Sequence, residues 1–459
     1  MWTRRLSRCA ISYQFASRAK LRPLNTHDIR YSSKSTSSPS EVARVGSQKI
    51  TEEEIIPSKT LFDNVFLRDA CSCSSCVDPS TKQKTFSTAQ LPTDTYIKSR
   101  KSIPGKVSDP EDRIEIVWGA KDEADHVSEY KVKQLEMYGS PLLRYNNRWK
   151  FAREQIHWNQ KFLEKHLVTR EYEDYMKNEE AFNDVLLGLY STGLAMVRGA
   201  PAAEKDTDGQ ILVEKIAKKI GYIKETFYGT SWDVRAIANA RNIAYTSSNL
   251  PLHMDLLYYE SPPGVQLLHC ITNTAEGGES VYADSFRAAY LVRERDPVAF
   301  AALATFPLTF HYQNDGYNYM HSRPLIELDP YYRQPHPLLP DVKIKCVNYS
   351  PPFQAPFEHM ISRSSLEETD LTQHGAFREF LRAYRIFEDL INDKTEQYEE
   401  RFTPGTVALF MNRRVLHSRR EFKLPDASEE HTREFGRWLK GTYLDIDSFY
   451  SKLRVISGQ

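Results

Sequence analysis

Long apolar runs are missing from this 459-residue chain. None reaches the roughly 18 consecutive residues that a membrane-spanning helix needs. The mean hydropathy of −0.56 points the same way. A membrane-inserted helical protein is excluded. An excess of one charge is missing too, with 61 Lys and Arg against 61 Asp and Glu. That balance hides an asymmetry. Residues 1–40 contain eight basic side chains and a single acid, Asp28. Subtracting them from the totals leaves 53 basic against 60 acidic residues, a net of −7. A mildly acidic body has no electrostatic grip on a phosphate backbone, so nucleic acid is not an expected partner.

Cysteine is scarce as well. Only six occur, yet Cys71, Cys73 and Cys76 fall within six positions. Thiolates at this spacing converge on one soft cation, and a closed structural zinc site needs four ligands. His126 is the nearest histidine on the C-terminal side, with His157 and His166 as competitors. A disulfide framework would leave one of the three thiols unpaired. An iron–sulfur cluster would need a fourth thiolate, and Cys270 and Cys346 sit in apolar stretches that read as buried strands. Zinc is the expectation.

The acid-poor N-terminus is rich in Arg and Ser, with Trp2, Leu6, Ile11 and Phe15 available for one helical face. This is the composition of a mitochondrial transit peptide. Residues 1–45 are therefore expected to be transit peptide and linker, with delivery to the matrix. From 50 to 150, short apolar stretches broken by Pro, Gly, Ser and Asp suggest a small β-rich module: Leu61–Leu67, Thr95–Ile97 and Arg113–Trp118. Residues 160–459 form the larger expected domain. Phe182, Val185, Leu186 and Leu189 recur at helical spacing and stop at Gly193, and Ile211–Ile220 repeats the pattern up to Gly221. Strands are expected at Leu194–Val197, Val265–Leu268, Ser280–Ala283 and Val407–Met411, and helices near Phe286–Arg295 and Ala376–Ile391. The fold class read from this pattern is mainly β with flanking helices.

Within the larger domain, His253-Met254-Asp255 means little alone. Its context lifts it: an apolar strand, Val265–Leu268, follows, and a second apolar strand near the C-terminus leads to His417. Two His and one carboxylate on a β-scaffold make the facial triad of non-haem Fe(II) oxygenases, which leaves three coordination positions open.

The run from Phe227-Tyr228-Gly229 through His253-Met254-Asp255 to Gly264–Cys270 and Gly277-Gly278 closely resembles the gamma-butyrobetaine dioxygenase family. Leu416–Arg420 and Arg437–Tyr443 resemble it too, as does Leu67-Arg68-Asp69-Ala70 leading into the cysteines. The likeness runs from residue 60 to the C-terminus. It implies a double-stranded β-helix (jelly-roll) oxygenase domain preceded by a zinc-binding module with His126 as the fourth ligand. It implies Fe(II) at His253, Asp255 and His417, with no catalytic side chain beyond these ligands. It implies 2-oxoglutarate as co-substrate paired with Arg437, with Arg433 as a rival and Ser280 as an added hydroxyl donor. Ascorbate as reductant and a homodimer come with the family.

For the substrate, Tyr228, Trp232, Tyr245 and Tyr443 match the family's cage for a trimethylammonium group, a cation that cannot donate hydrogen bonds. Asn242 and Asn348 match contacts to the substrate carboxylate. One departure is Leu256, where animal relatives carry Tyr. The implied reaction is hydroxylation of gamma-butyrobetaine by dioxygen to L-carnitine, in carnitine biosynthesis. Trimethyllysine or another quaternary amine is the second enzyme reading. From another class, the rival is a non-catalytic, zinc-stabilised interaction protein on an oxygenase fold.

Overall fold

The computed structural model describes residues 62–458, except 106–109, 122–123, 140, 150, 152–153, 236–245, 331–341, 358–368 and 424–435. The transit-peptide segment and the rival Arg433 lie outside the described residues.

The first sheet is a three-stranded antiparallel meander: β1 (Tyr96–Ile103), β2 (Arg113–Gly119) and β3 (His126–Lys131). Along β2, Ile114, Ile116 and Trp118 point inward at the period of two that a half-buried strand requires. They pack with Leu67, Tyr130 and Leu135 into a small core of their own. Inside it the Tyr130 hydroxyl donates to the Leu67 carbonyl at 2.6 Å. Of the expected Leu61–Leu67 strand, residues 64–67 belong instead to the helix Asn64–Asp69, and Leu61 lies outside the described residues. The reason is local: the Asp63 carboxylate accepts from the Val65 and Phe66 amides and caps the first turn.

The rest of the strands are β4 (Val168–Glu171), β5 (Leu194–Arg198), β6 (Ser231–Arg235), β7 (Leu250–His253), β8 (Val265–Asn273), β9 (Glu276–Gly277) and β10 (Ser280–Asp284). There follow β11 (Pro307–Asn314), β12 (Tyr317–Pro324), β13 (Ile326–Leu328), β14 (Ile344–Val347) and β15 (Gln397–Glu400). The last are β16 (Val407–Met411), β17 (Val415–Arg419), β18 (Phe422–Lys423) and β19 (Arg437–Leu444). Two sheets dominate. One has six strands in the order β4-β5-β16-β8-β19-β6, the other four in the order β15-β10-β17-β7.

Side-chain alternation assigns each sheet two faces. Leu268, Cys270, Phe410 and Leu439 of the six-stranded sheet meet Tyr282 and Val415 of the four-stranded sheet in a shared core. The intervening positions Val265, Leu267, Val407 and Leu409 pack outward against the helices Glu179–Thr192, Leu212–Ile220 and Ile446–Ile456. The other sheet's outer residues, Leu252, Ala283 and Leu416, pack under the helices Ser285–Arg295, Pro297–Thr305 and Thr369–Asn392. Two β-layers sheathed by helices match the mainly β reading.

The helix Glu179–Thr192 shows why several elements are legible locally. Asn178 caps it by accepting from the Glu180 and Ala181 amides, and Gly193 ends it at φ +79°. No described helix is long and apolar enough to cross a membrane.

Candidate metal centre and substrate cavity

The last residue of β7, His253, is the register partner of His417 on β17. Their rings lie 4.2 Å apart between centroids, and both side chains are buried. The chain then turns sharply, with Leu256 at φ +57°, a conformation that a branched side chain seldom adopts. That turn swings Asp255 back under the two rings. Its Oδ1 is 3.4 Å from His253 Nε2 and its Oδ2 is 3.7 Å from His417 Nε2. All three donor atoms lie within 4.8 Å of one another.

A residue that sequence reasoning missed holds this turn. Asn412 is fully buried; its Oδ1 accepts from the Asp255 amide at 2.9 Å, and its Nδ2 donates to the Asp255 and Pro263 carbonyls. Only the β16–β17 connection brings it there, 157 positions from Asp255.

The electrostatics suit a divalent cation. Burial pushes the His417 imidazole down to about 3, and the neighbouring His253 adds to this, so the ring is neutral and able to ligate. Burial by itself would raise the Asp255 carboxyl. The hydrogen bond with His253, the nearby His417 and the Tyr443 hydroxyl together hold it below the ordinary carboxylate range. His253 Nδ1 lies 2.8 Å from the Pro251 carbonyl, and donation to that oxygen leaves Nε2 as the ligand atom. Two imidazoles and one carboxylate on one side of a cavity fit Fe(II) in a facial triad.

The same cavity is lined by Arg437, Ser280, Tyr228, Trp232 and Tyr443. Arg437 opens β19 and is buried; its Nε has no hydrogen-bond partner among the described residues. Burial pushes its guanidinium down to about 10. A buried cation with donor capacity left over fits the distal carboxylate of a dicarboxylate ligand. Gly278, at φ +73°, leaves the space the guanidinium occupies, since a Cβ there would stand 3.1 Å from Arg437 Nε. Ser280, on β10, is buried in the same wall.

Three of the four expected cage aromatics are brought together. Tyr228 and Trp232 have centroids 6.3 Å apart, while Trp232 stacks on Tyr443 at 4.0 Å and 26°. The fourth, Tyr245, and the expected carboxylate contact Asn242 lie outside the described residues.

Asn348 is a correction. It does not line this cavity. Its Nδ2 donates to the Pro324 carbonyl at 2.8 Å and to Glu327 Oε1 at 3.0 Å, and its Oδ1 accepts from Arg413. With both ends of the amide engaged in this buried network, none is left for a substrate carboxylate.

A second cluster joins His126, the first residue of β3, to three cysteines. His126 Nε2 lies 3.3, 3.6 and 3.5 Å from the sulfurs of Cys71, Cys73 and Cys76. Tetrahedral zinc with usual bond lengths has S···N edges of about 3.5 Å, so these four residues fit that ion. The competitors are elsewhere: His157 lies tilted against Tyr290 at 4.6 Å and His166 stacks on Phe162 at 4.3 Å.

Residues 159–443 match the taurine catabolism dioxygenase TauD, TfdA family. The chain is 32% identical over 403 residues to dioxygenase str8 of Strobilurus tenacellus, covering 88% of this chain and 86% of that one. It is 29% identical over 405 residues to gamma-butyrobetaine dioxygenase of Homo sapiens, covering 87% and 92%. Trimethyllysine dioxygenase of Meyerozyma guilliermondii is 25% identical over 410 residues, with 86% and 90% covered.

Proposed function

The chain belongs to the TauD, TfdA dioxygenase family, in the group of gamma-butyrobetaine and trimethyllysine dioxygenases, and is an Fe(II)- and 2-oxoglutarate-dependent dioxygenase; from that premise we propose that it hydroxylates a trimethylammonium carboxylate, with gamma-butyrobetaine as the substrate and L-carnitine as the product. The observation that carries this reading is the stacked Trp232–Tyr443 pair, with Tyr228 beside it, in the cavity that Asp255 also lines. Aromatic faces attract a permanent cation, by about 0.5–2 kcal/mol each when desolvated, without needing a hydrogen bond from it.

In this reading His253, Asp255 and His417 hold the iron, and Arg437 with Ser280 receives the distal carboxylate of 2-oxoglutarate. An iron held by His253, Asp255 and His417 would supply dioxygen activation, in a reaction whose balance places one oxygen atom in the substrate as hydroxyl and the other in succinate as carbon dioxide is released. The chain's own residues bind, orient and keep water out. Burial of the donor set in the cavity wall serves the last of these.

Zinc at Cys71, Cys73, Cys76 and His126 belongs to the same proposal as a structural ion of a module spanning 50–150, with the oxygenase domain at 160–459. So do ascorbate as reductant, a homodimer, and import directed by residues 1–45. A reporter fused to residues 1–45 tests the address, and a cytosolic, untrimmed reporter would remove it.

The deciding experiment for the substrate is a panel assay. Purified protein with Fe(II), 2-oxoglutarate and ascorbate is offered gamma-butyrobetaine, trimethyllysine and other betaines, and succinate and hydroxylated product are quantified. Gamma-butyrobetaine is expected to give the highest kcat/KM with stoichiometric L-carnitine. Preferential turnover of trimethyllysine would replace the assignment. Absence of turnover with every quaternary amine would leave a dioxygenase of another substrate class.

A further inference from the structure

Tyr443 touches both halves of the site. Its ring stacks on Trp232 at 4.0 Å, and its hydroxyl donates to Asp255 Oδ2 at 2.8 Å. Burial alone does not dictate that hydrogen bond. Tyr282 lines the same cavity and is equally buried, yet no hydrogen bond joins its hydroxyl to a metal donor among the described residues. The Asp255 main chain is already held by Asn412. The phenol adds the remaining restraint, because the carboxylate cannot rotate about Cβ–Cγ without breaking it. Trp232 is set in turn by the strand pairing: its indole lies over Gly441, its register partner on β19. Trp232, Tyr443 and Asp255 thus form one continuous path from the aromatic pocket to the donor set.

We propose that Tyr443 is a positioning residue with two tasks: its ring walls the ammonium pocket, and its hydroxyl orients the metal-binding carboxylate, so that filling the pocket and filling the metal site are linked. The coupling rests on the reading of the pocket as the seat of a quaternary ammonium group. The hydroxyl's role does not. A cation seated against the Trp232–Tyr443 stack fixes the ring, the fixed ring fixes the hydrogen bond, and the hydrogen bond fixes Asp255. Such coupling is reciprocal: the ligand strengthens metal binding by the factor by which metal strengthens ligand binding.

The test uses the full chain stripped of iron, with Co(II) as a redox-stable probe whose absorption reports ligand geometry. Native protein is expected to bind Co(II) about fivefold or more tightly with saturating gamma-butyrobetaine, and to change its Co(II) absorption bands. Tyr443→Phe keeps the ring, so its affinity for gamma-butyrobetaine without metal should stay within about threefold. Its Co(II) affinity should fall about tenfold or more, and the betaine-induced change should vanish. Native-like Co(II) affinity in Tyr443→Phe would overturn the positioning role. Betaine binding that leaves native Co(II) affinity and spectrum unaltered would overturn the coupling, and needs no variant. A native protein that does not bind gamma-butyrobetaine would instead remove the substrate reading and the coupling with it. The Co(II) affinity of Tyr443→Phe would still decide what the hydroxyl does.

Discussion

Trp232 lies flat across the backbone of Gly441, in the space that any larger residue's side chain would claim. A Cβ at position 441 would stand 2.6 Å from both Cε2 and Cζ2 of the indole. The two residues are register partners on β6 and β19, so the close approach is built into the sheet. The missing side chain is what lets the indole reach Tyr443.

Gly441→Ala should therefore dismantle the aromatic pocket while sparing the metal donors. Overpacking of this kind costs about 1–3 kcal/mol, relieved here by expelling the indole. Calorimetric titration should show weaker gamma-butyrobetaine binding, by roughly one decade, and no betaine-induced gain in Fe(II) affinity. The neutral tert-butyl analogue should lose less, since only the cation uses the ring face. Equal losses for both ligands would mean that the rings serve as a hydrophobic slot.

Gly278 plays the corresponding part for Arg437. Its Cβ would press on Arg437 Nε and on Phe422 Cβ, 3.2 Å away, from a backbone at φ +73°. Gly278→Ala should weaken 2-oxoglutarate binding by about tenfold, and the left-handed backbone adds about 1–2 kcal/mol of destabilisation. Gamma-butyrobetaine affinity, read in the same titrations, should be nearly unchanged. Native 2-oxoglutarate affinity in a folded variant would detach Arg437 from the co-substrate.

The cysteine cluster makes a prediction separable from activity. Native protein should contain one zinc per chain by elemental analysis, and Cys73→Ser should lose it. Binding free energies of structural zinc are large, about 10–16 kcal/mol in small modules, so thermal unfolding of the variant should begin well below that of the native chain. Full zinc retention by Cys73→Ser would take Cys73 out of the ligand set.

His269 supplies a pH dependence. It is fully enclosed on β8, and burial pushes its imidazole down to about 4 from an ordinary 6.5. The unfolded chain therefore takes up this proton first as the pH falls from about 6.5 towards 4, and folding stability declines over that window. Between pH 7.5 and pH 5 the contribution is about 2 kcal/mol. Urea unfolding at the two pH values should show His269→Leu losing less stability on acidification by that margin. An identical pH slope in native protein and variant would contradict it.

What the sequence determined by itself was whatever depends on near neighbours. The helix Glu179–Thr192 carries its own cap and its own stop, and the apolar runs that became β5, β8, β10 and β16 are short and continuous. Cys71, Cys73 and Cys76 read as candidate metal ligands from their spacing alone, and the fold brings His126 to them. A resemblance spread over many motifs then named the family, as the match across residues 159–443 bears out. Tertiary structure decided the rest. Residues 64–67 show how one capping carboxylate overrides an apolar stretch, since Asp63 caps the helix Asn64–Asp69 there. Asn348 matched a substrate contact by position, yet folding spends its amide on Pro324, Glu327 and Arg413. Asn412 carried no local signal at all, and neither did the tie between Tyr443 and Asp255, which are 188 positions apart. Strand order brings these residues together. Propensity and periodicity report what a segment prefers alone, whereas pairing between β7 and β17, or between β6 and β19, is set by which buried faces the whole chain must cover at once.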